Sequence, residues 1–148
     1  MCAGVRFSIS NIPEVKLKKY FNQRELDFYK KRGEIDIFFF SKKPFLPIQR
    51  DDRIDLVTWG NRDKNFALPQ TGWARQESVE AGKWDYLKLQ KVEIPARMGY
   101  EKGVWFKVDG IGGVEIKSGR DKRVYMLTQK ASPRYRKLTG HDREPVWV

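Results

Sequence analysis

The sequence predicts a single α+β domain, residues 1–148, rich in β-strand, with a few short helices around a twisted sheet or open barrel. Three observations lead there. The 148 residues match the usual size of one domain able to bury a core. Hydrophobic residues at 40% and aromatics at 14% are too many for a disordered chain. Six short apolar, β-branched or aromatic runs are separated by turn clusters.

In chain order, Val5 to Ile9 alternates as a strand that begins almost at the N-terminus. From Pro13 to Arg32, Val15, Leu17, Tyr20, Phe21, Leu26 and Phe28 recur at three- and four-residue intervals and Gly33 follows, so one helix or two short ones are expected. Strands are then expected at Ile35 to Phe40, Ile54 to Trp59, Trp84 to Ile94, Val104 to Val108, Ile111 to Ile116 and Arg123 to Leu127. Turn clusters at Ser41 to Pro47, Gly60 to Gly72, Ala96 to Gly99 and Lys117 to Lys122 are the expected loops. No repeat, low-complexity tract or linker interrupts the pattern.

Thirty Lys and Arg against nineteen Asp and Glu leave a net charge of +11, the balance of a surface that attracts polyphosphate chains. Nucleic acid is the expected partner. No apolar run approaches the roughly 20 residues of a membrane span, and the N-terminus carries no signal-peptide core, so a cytoplasmic protein without a membrane partner is expected, as a monomer. One cysteine excludes an internal disulfide, and one Cys with one His falls short of a structural zinc site, so neither metal nor cofactor is expected. Between Lys117 and Arg143 nine basic residues face two acidic ones. Such a run reads either as a solvated face or as a phosphate-binding surface beside aromatic platforms.

Three residues are candidates for chemistry. Cys2 follows the initiator Met, and removal of Met1 would leave an α-amine beside a thiol, a pair that closes a thiazolidine ring on an aldehyde. His141 is the only histidine and lies among charged residues, as a proton-transfer group or as an exposed loop residue. Glu101 lies between a turn and a strand, as a general acid or base if buried near the amine and as a solvated carboxylate otherwise.

Together these residues resemble the SOS-response-associated peptidase family, the SRAP domain of proteins that shield abasic sites in DNA. The family opens Met-Cys-Gly-Arg, and this chain opens Met1-Cys2-Ala3-Gly4. Similar to family motifs, in order, are Pro44 to Pro47, Trp59-Gly60, Trp73-Ala74-Arg75-Gln76-Glu77, Ile94 to Lys102 with Tyr100-Glu101, Ile111 to Glu115, and His141 to Pro145. The resemblance implies a basic groove for single-stranded DNA and a covalent thiazolidine between Cys2 and the ring-opened abasic sugar, protecting it in the DNA damage response. It implies acid-base roles for Glu101 and His141 and phosphate contacts for Arg75 and Arg143, with Trp59, Trp73 and Pro47 beside the DNA. Trp73 stands where the family has an Asn that orients the cysteine, Lys102 where it has Trp, and Glu144 where it has Met. Two other readings stay open. One is a basic nucleic-acid-binding module without covalent chemistry, and the other is a cysteine hydrolase or peptidase with Cys2 as nucleophile and His141 as base.

Overall fold

The computed structural model describes residues 2–148; Met1, and with it the removal of Met1, lies outside them. The fold is β-rich, with a closed five-stranded barrel, a second sheet and a few short helices. Strands β1 (Gly4–Ser8), β2 (Glu34–Phe38), β7 (Met98–Glu101) and β8 (Val104–Lys107) form an antiparallel sheet in the order β2-β1-β7-β8. The barrel takes β3 (Phe45–Gln49), β4 (Ile54–Trp59), β6 (Gln90–Ile94), β9 (Ile111–Ser118) and β10 (Asp121–Lys130), closed by the β9–β10 hairpin. Short strands β5 (Trp73–Arg75) and β11 (Arg143–Pro145) both pair with β10.

The helical segment expected from Pro13 to Arg32 is two helices, α1 (Glu14–Leu17) and α2 (Gln23–Arg32). At the start of α2, Asn22 Oδ1 accepts from Glu25 N at 2.8 Å and Glu25 Oε1 accepts from Asn22 N at 3.0 Å, while Gly33 at φ 82° ends the helix. β1 and β2 alternate cleanly, with Val5, Phe7, Ile35 and Ile37 buried and Arg6, Asp36 and Phe38 on the other face. β10 has apolar residues on both faces: Val124 and Met126 join the large core, and Tyr125 and Leu127 join a second cluster with Leu68, Ala74 and Val79.

Three local expectations are corrected. Phe45–Gln49 is a barrel strand rather than part of a loop. Pro47 fits because Trp59 N donates to Pro44 O, which sets the ladder so that the Pro47 nitrogen points away from β4, and β3 meets β6 only at Gln49↔Glu93. Trp84 to Leu89 is not strand but a turn containing a 3₁₀ segment, Asp85–Leu87, because the Trp84 ring packs edge-on against Tyr125 at 5.2 Å. Ala96 to Gly99 is partly strand, with β7 starting at Met98. In the basic tail, Ser132 caps Pro133–Thr139 as helix α4, with Gly140 at φ 72° beyond it. Its signals, Ser-Pro at the start and Gly at the end, were present in the sequence. Gln76–Glu80 forms one further short helix, α3.

The β7–β8 connection is a two-residue hairpin, Lys102 at φ 47° and Gly103 at φ 84°. A left-handed turn of this kind favours Asn-Gly, and a lysine there is strained. Lys102→Asn is expected to stabilise the fold by about 1 kcal/mol, read as a higher urea midpoint at unchanged slope; an unchanged or lower midpoint would show the lysine to be unstrained.

Candidate functional site

Cys2 sits where the two sheets meet. Its neighbour Ala3 donates its N–H to Tyr100 O at 2.7 Å, which stitches the N-terminus to β7. The Cys2 side chain turns into the core and is fully buried, with Sγ donating to Gly4 O at 3.0 Å. Burial pushes the thiol up to about 12, and the nearby Glu101 charge adds to the rise. Beneath the sulfur lies Gly99, where a Cβ would come within 2.9 Å of Sγ and 2.6 Å of the Phe106 ring. The glycine of the Gly99-Tyr100-Glu101 run is therefore what leaves room for the thiol.

Trp73 holds the cysteine by its carbonyl. Its indole Nε1 donates to Cys2 O at 2.9 Å. The ring is fixed by Phe39 at 4.8 Å and Trp59 at 5.9 Å, and β5 is positioned by its parallel register with β10, Trp73 opposite Met126. An indole N–H supplies a donor here as an amide would.

Glu101 is buried at the end of β7, where its charge acts on both the Cys2 thiol and the Tyr135 phenol. Tyr135, on α4, is held well above the ordinary tyrosine range by burial, and its ring meets Phe106 edge-on at 5.1 Å. The same two rings line a groove of about 680 Å³ with Leu138, Trp147, Lys107 and Arg134. His141 follows α4 and is drawn toward β7–β8 by Lys102 Nζ, which donates to Gly140 O at 3.5 Å. The hairpin that follows Glu101 and the loop that carries His141 therefore adjoin. His141 Nδ1 accepts from Arg143 N at 3.1 Å. With that amide donating to Nδ1, Nε2 is the ring's donor, and Asp142 Oδ1 stands 3.3 Å from the same Nδ1.

The phosphate-contact expectations divide. Arg75 is exposed on β5. Arg143 is occupied: its guanidinium makes a bidentate pair with Glu77 at 2.7 Å on both arms and donates to Thr128 O at 2.9 Å. Arg143 in turn holds the Glu77 carboxyl down at about 2. It is a brace between α3 and β10 rather than a free cation. Trp59 and Pro47 are corrected as DNA contacts, because both are buried, and Trp59 Nε1 donates to Gly72 O at 2.8 Å. An aromatic with a satisfied indole at the heart of the barrel offers no face to a base.

Composition alone could not locate the exposed cations. Two adjoining hollows of about 410 and 460 Å³ share Tyr20, Lys42 and Lys43. Lys18 and Lys19 line the first with Glu25 and Asp36, and Arg62 lines the second with Asp63 and with Arg123, itself paired with Asp121. Arg62 lies over Phe39 at 6.0 Å, and Phe39 packs on Trp73, so this basic cleft reaches the Cys2 shelf through two aromatic rings. No helix among the described residues is long and apolar enough to cross a membrane. No family of known proteins matches the chain, and no curated protein matches it.

Proposed function

We propose that the protein binds single-stranded DNA and, once Met1 is removed, captures the ring-opened aldehyde of an abasic site at Cys2 as a thiazolidine, a member of the SRAP type acting in DNA damage shielding. The observation that carries this is the setting of Cys2: a terminal cysteine whose carbonyl is held by the Trp73 indole, whose sulfur lies over Gly99, and which has a buried carboxylate, Glu101, in electrostatic reach.

The chemistry balances with these groups alone. The Cys2 amine adds to the aldehyde carbon, and the carbinolamine loses water to give an imine. The thiol then adds across the C=N bond, sulfur to carbon and its proton to nitrogen, closing a five-membered ring with one water released overall. A thiol pushed up to about 12 is protonated at neutral pH, so ring closure needs a group that carries the proton from sulfur to nitrogen. Glu101 is the carboxylate suited to that role, and the His141 Nε2–H suits donation to the departing water. Phosphates along the strand are met by Lys42, Lys43, Arg62 and Arg75, contacts that weaken with salt as counterions are released.

The burial of the thiol favours one second reading, a groove that binds DNA without reacting. The hydrolase reading lacks its base, since Cys2 Sγ donates to Gly4 O and His141 Nδ1 is taken by a backbone amide. Intact mass measurement of the purified protein mixed with an abasic oligonucleotide separates the first two. Loss of one methionine followed by a gain of one oligonucleotide less one water is the expected result. A protein that keeps its mass under denaturing conditions while binding the oligonucleotide natively would leave only the non-covalent module.

A further inference from the structure

The outward face of the β2-β1-β7-β8 sheet, turned away from the core, carries a second feature. Its register aligns Phe38, Gly4, Tyr100 and Trp105 in one row across the four strands. Gly4 has no side chain, and Phe38 fills the space above it: a Cβ there would come within 2.4 Å of the Phe38 ring. Phe38 meets Tyr100 at 5.2 Å and Trp105 at 5.9 Å, both edge-on, and stacks with Phe40 at 5.1 Å and 17°. None of these four rings is among the side chains packed on either buried cluster. They pack on one another, and Phe40 is 69% exposed. Apolar rings gathered in water without a core role mark a binding surface.

The surrounding charge says what the surface fits. The Arg6 guanidinium lies 4.3 Å over the Trp105 ring. Lys107 extends from β8, Lys42 and Lys43 follow Phe40, and Arg97 stands at the start of β7, all exposed. Asp36 pairs with Arg6 and Arg32 and Glu34 with Arg97, while Asp109 is exposed beside Lys107, so Lys107, Lys42 and Lys43 are the cations placed to meet phosphate. Aromatic rings flanked by cations are complementary to unpaired bases on a phosphate chain, the bases stacking while the phosphates meet Lys and Arg. Three inter-strand spacings of about 4.8 Å span roughly 14 Å, room for two or three nucleotides.

We infer that this sheet face is a stacking platform for single-stranded nucleic acid, sharing Lys42 and Lys43 with the strand path proposed above and independent of the Cys2 chemistry. Fluorescence anisotropy with a labelled oligothymidine that contains no abasic site tests it, since no aldehyde is present for Cys2. Phe40→Ala and Trp105→Ala are each expected to weaken binding roughly fivefold to a hundredfold. Phe28→Ala, an equally exposed ring on α2, should leave binding unchanged. Phe40 contacts only its neighbouring ring among the aromatics, so its removal spares the fold, which circular dichroism verifies. Wild-type tryptophan emission should be quenched on binding, and less so in Trp105→Phe. Wild-type affinity in both alanine variants would overturn the inference whatever the abasic-site adduct does. So would variants that bind DNA normally but no longer float with anionic phospholipid vesicles, since the occupant would then be a membrane surface.

Discussion

Cys2→Ala is expected to form no adduct that survives heat and detergent on an abasic oligonucleotide. The α-amine of this variant still forms an imine, but without sulfur nothing closes the ring, and water reverses it. Borohydride should therefore recover a linked species from Cys2→Ala, mapped by peptide mass to the N-terminus. Wild type should need no reductant. Cys2→Ser should behave as the alanine variant does, because an oxazolidine is far less stable. The loss is one of chemistry and not of folding: removing one buried sulfur costs on the order of 1 kcal/mol. Glu101→Gln keeps shape and removes the titrating group, and should slow adduct formation by about 10²–10⁴-fold with DNA binding intact. An adduct formed by Cys2→Ala at the wild-type rate without reductant would assign the nucleophile to a lysine.

The largest expected stability loss lies elsewhere, at Arg50. Its guanidinium makes a bidentate pair with Glu115 at 2.9 and 2.8 Å and reaches Asp55 at 2.8 Å, tying the β3–β4 turn to β9. Glu115 is buried, so Arg50→Met strands its charge at a cost of about 3–5 kcal/mol. In a domain of this size that lowers Tm on the order of 10 °C. Arg50→Met with Glu115→Leu should regain most of it, since no unpaired charge remains. The pH dependence has a definite sign. Arg50 holds Glu115 below its ordinary 4.5, and Lys16, with Arg50, holds Asp55 below 3.8. Folded values below unfolded ones give stability that is complete above about pH 5 and lost as pH falls through the ordinary carboxylate range toward the depressed values. In Arg50→Met the sign at Glu115 reverses, because an unpaired buried carboxylate prefers its proton. The gap between variant and wild type should thus narrow from pH 7 to pH 5. A gap constant across that range would mean that water or another cation compensates Glu115.

The sequence was legible where local pattern and burial agree. β1, β2 and β4 show alternation, and α2 carries both its caps. It misled where tertiary contacts decide. Pro47 argues for a turn, yet it sits in a barrel strand at the one side that needs no ladder bond. Trp84 argues for a strand, yet its ring is better placed against Tyr125. Among the candidate site residues, Cys2 and Glu101 come near one another at the sheet end, while Arg143 is consumed by Glu77, a partner 66 positions away that no local pattern could name. That Trp73 holds the Cys2 carbonyl was not legible, because what matters is the direction of one N–H. The aromatic row was invisible for a simpler reason: Phe38, Tyr100 and Trp105 become neighbours only through strand pairing.

The enclosure of Cys2 also bears on timing during synthesis. Its walls come from Trp73, Gly99, Phe106 and Tyr135, and its strand β1 pairs with β7, which is made much later in the chain. Pairings of such separation form late in folding, after the closure entropy of the intervening loop has been overcome. The pocket therefore does not exist until translation has passed Tyr135, nearly the whole chain. Until then Cys2 has none of these walls around it. The topology fixes the order of assembly: the surroundings of Cys2 are complete only once β7, β8 and α4 have been made.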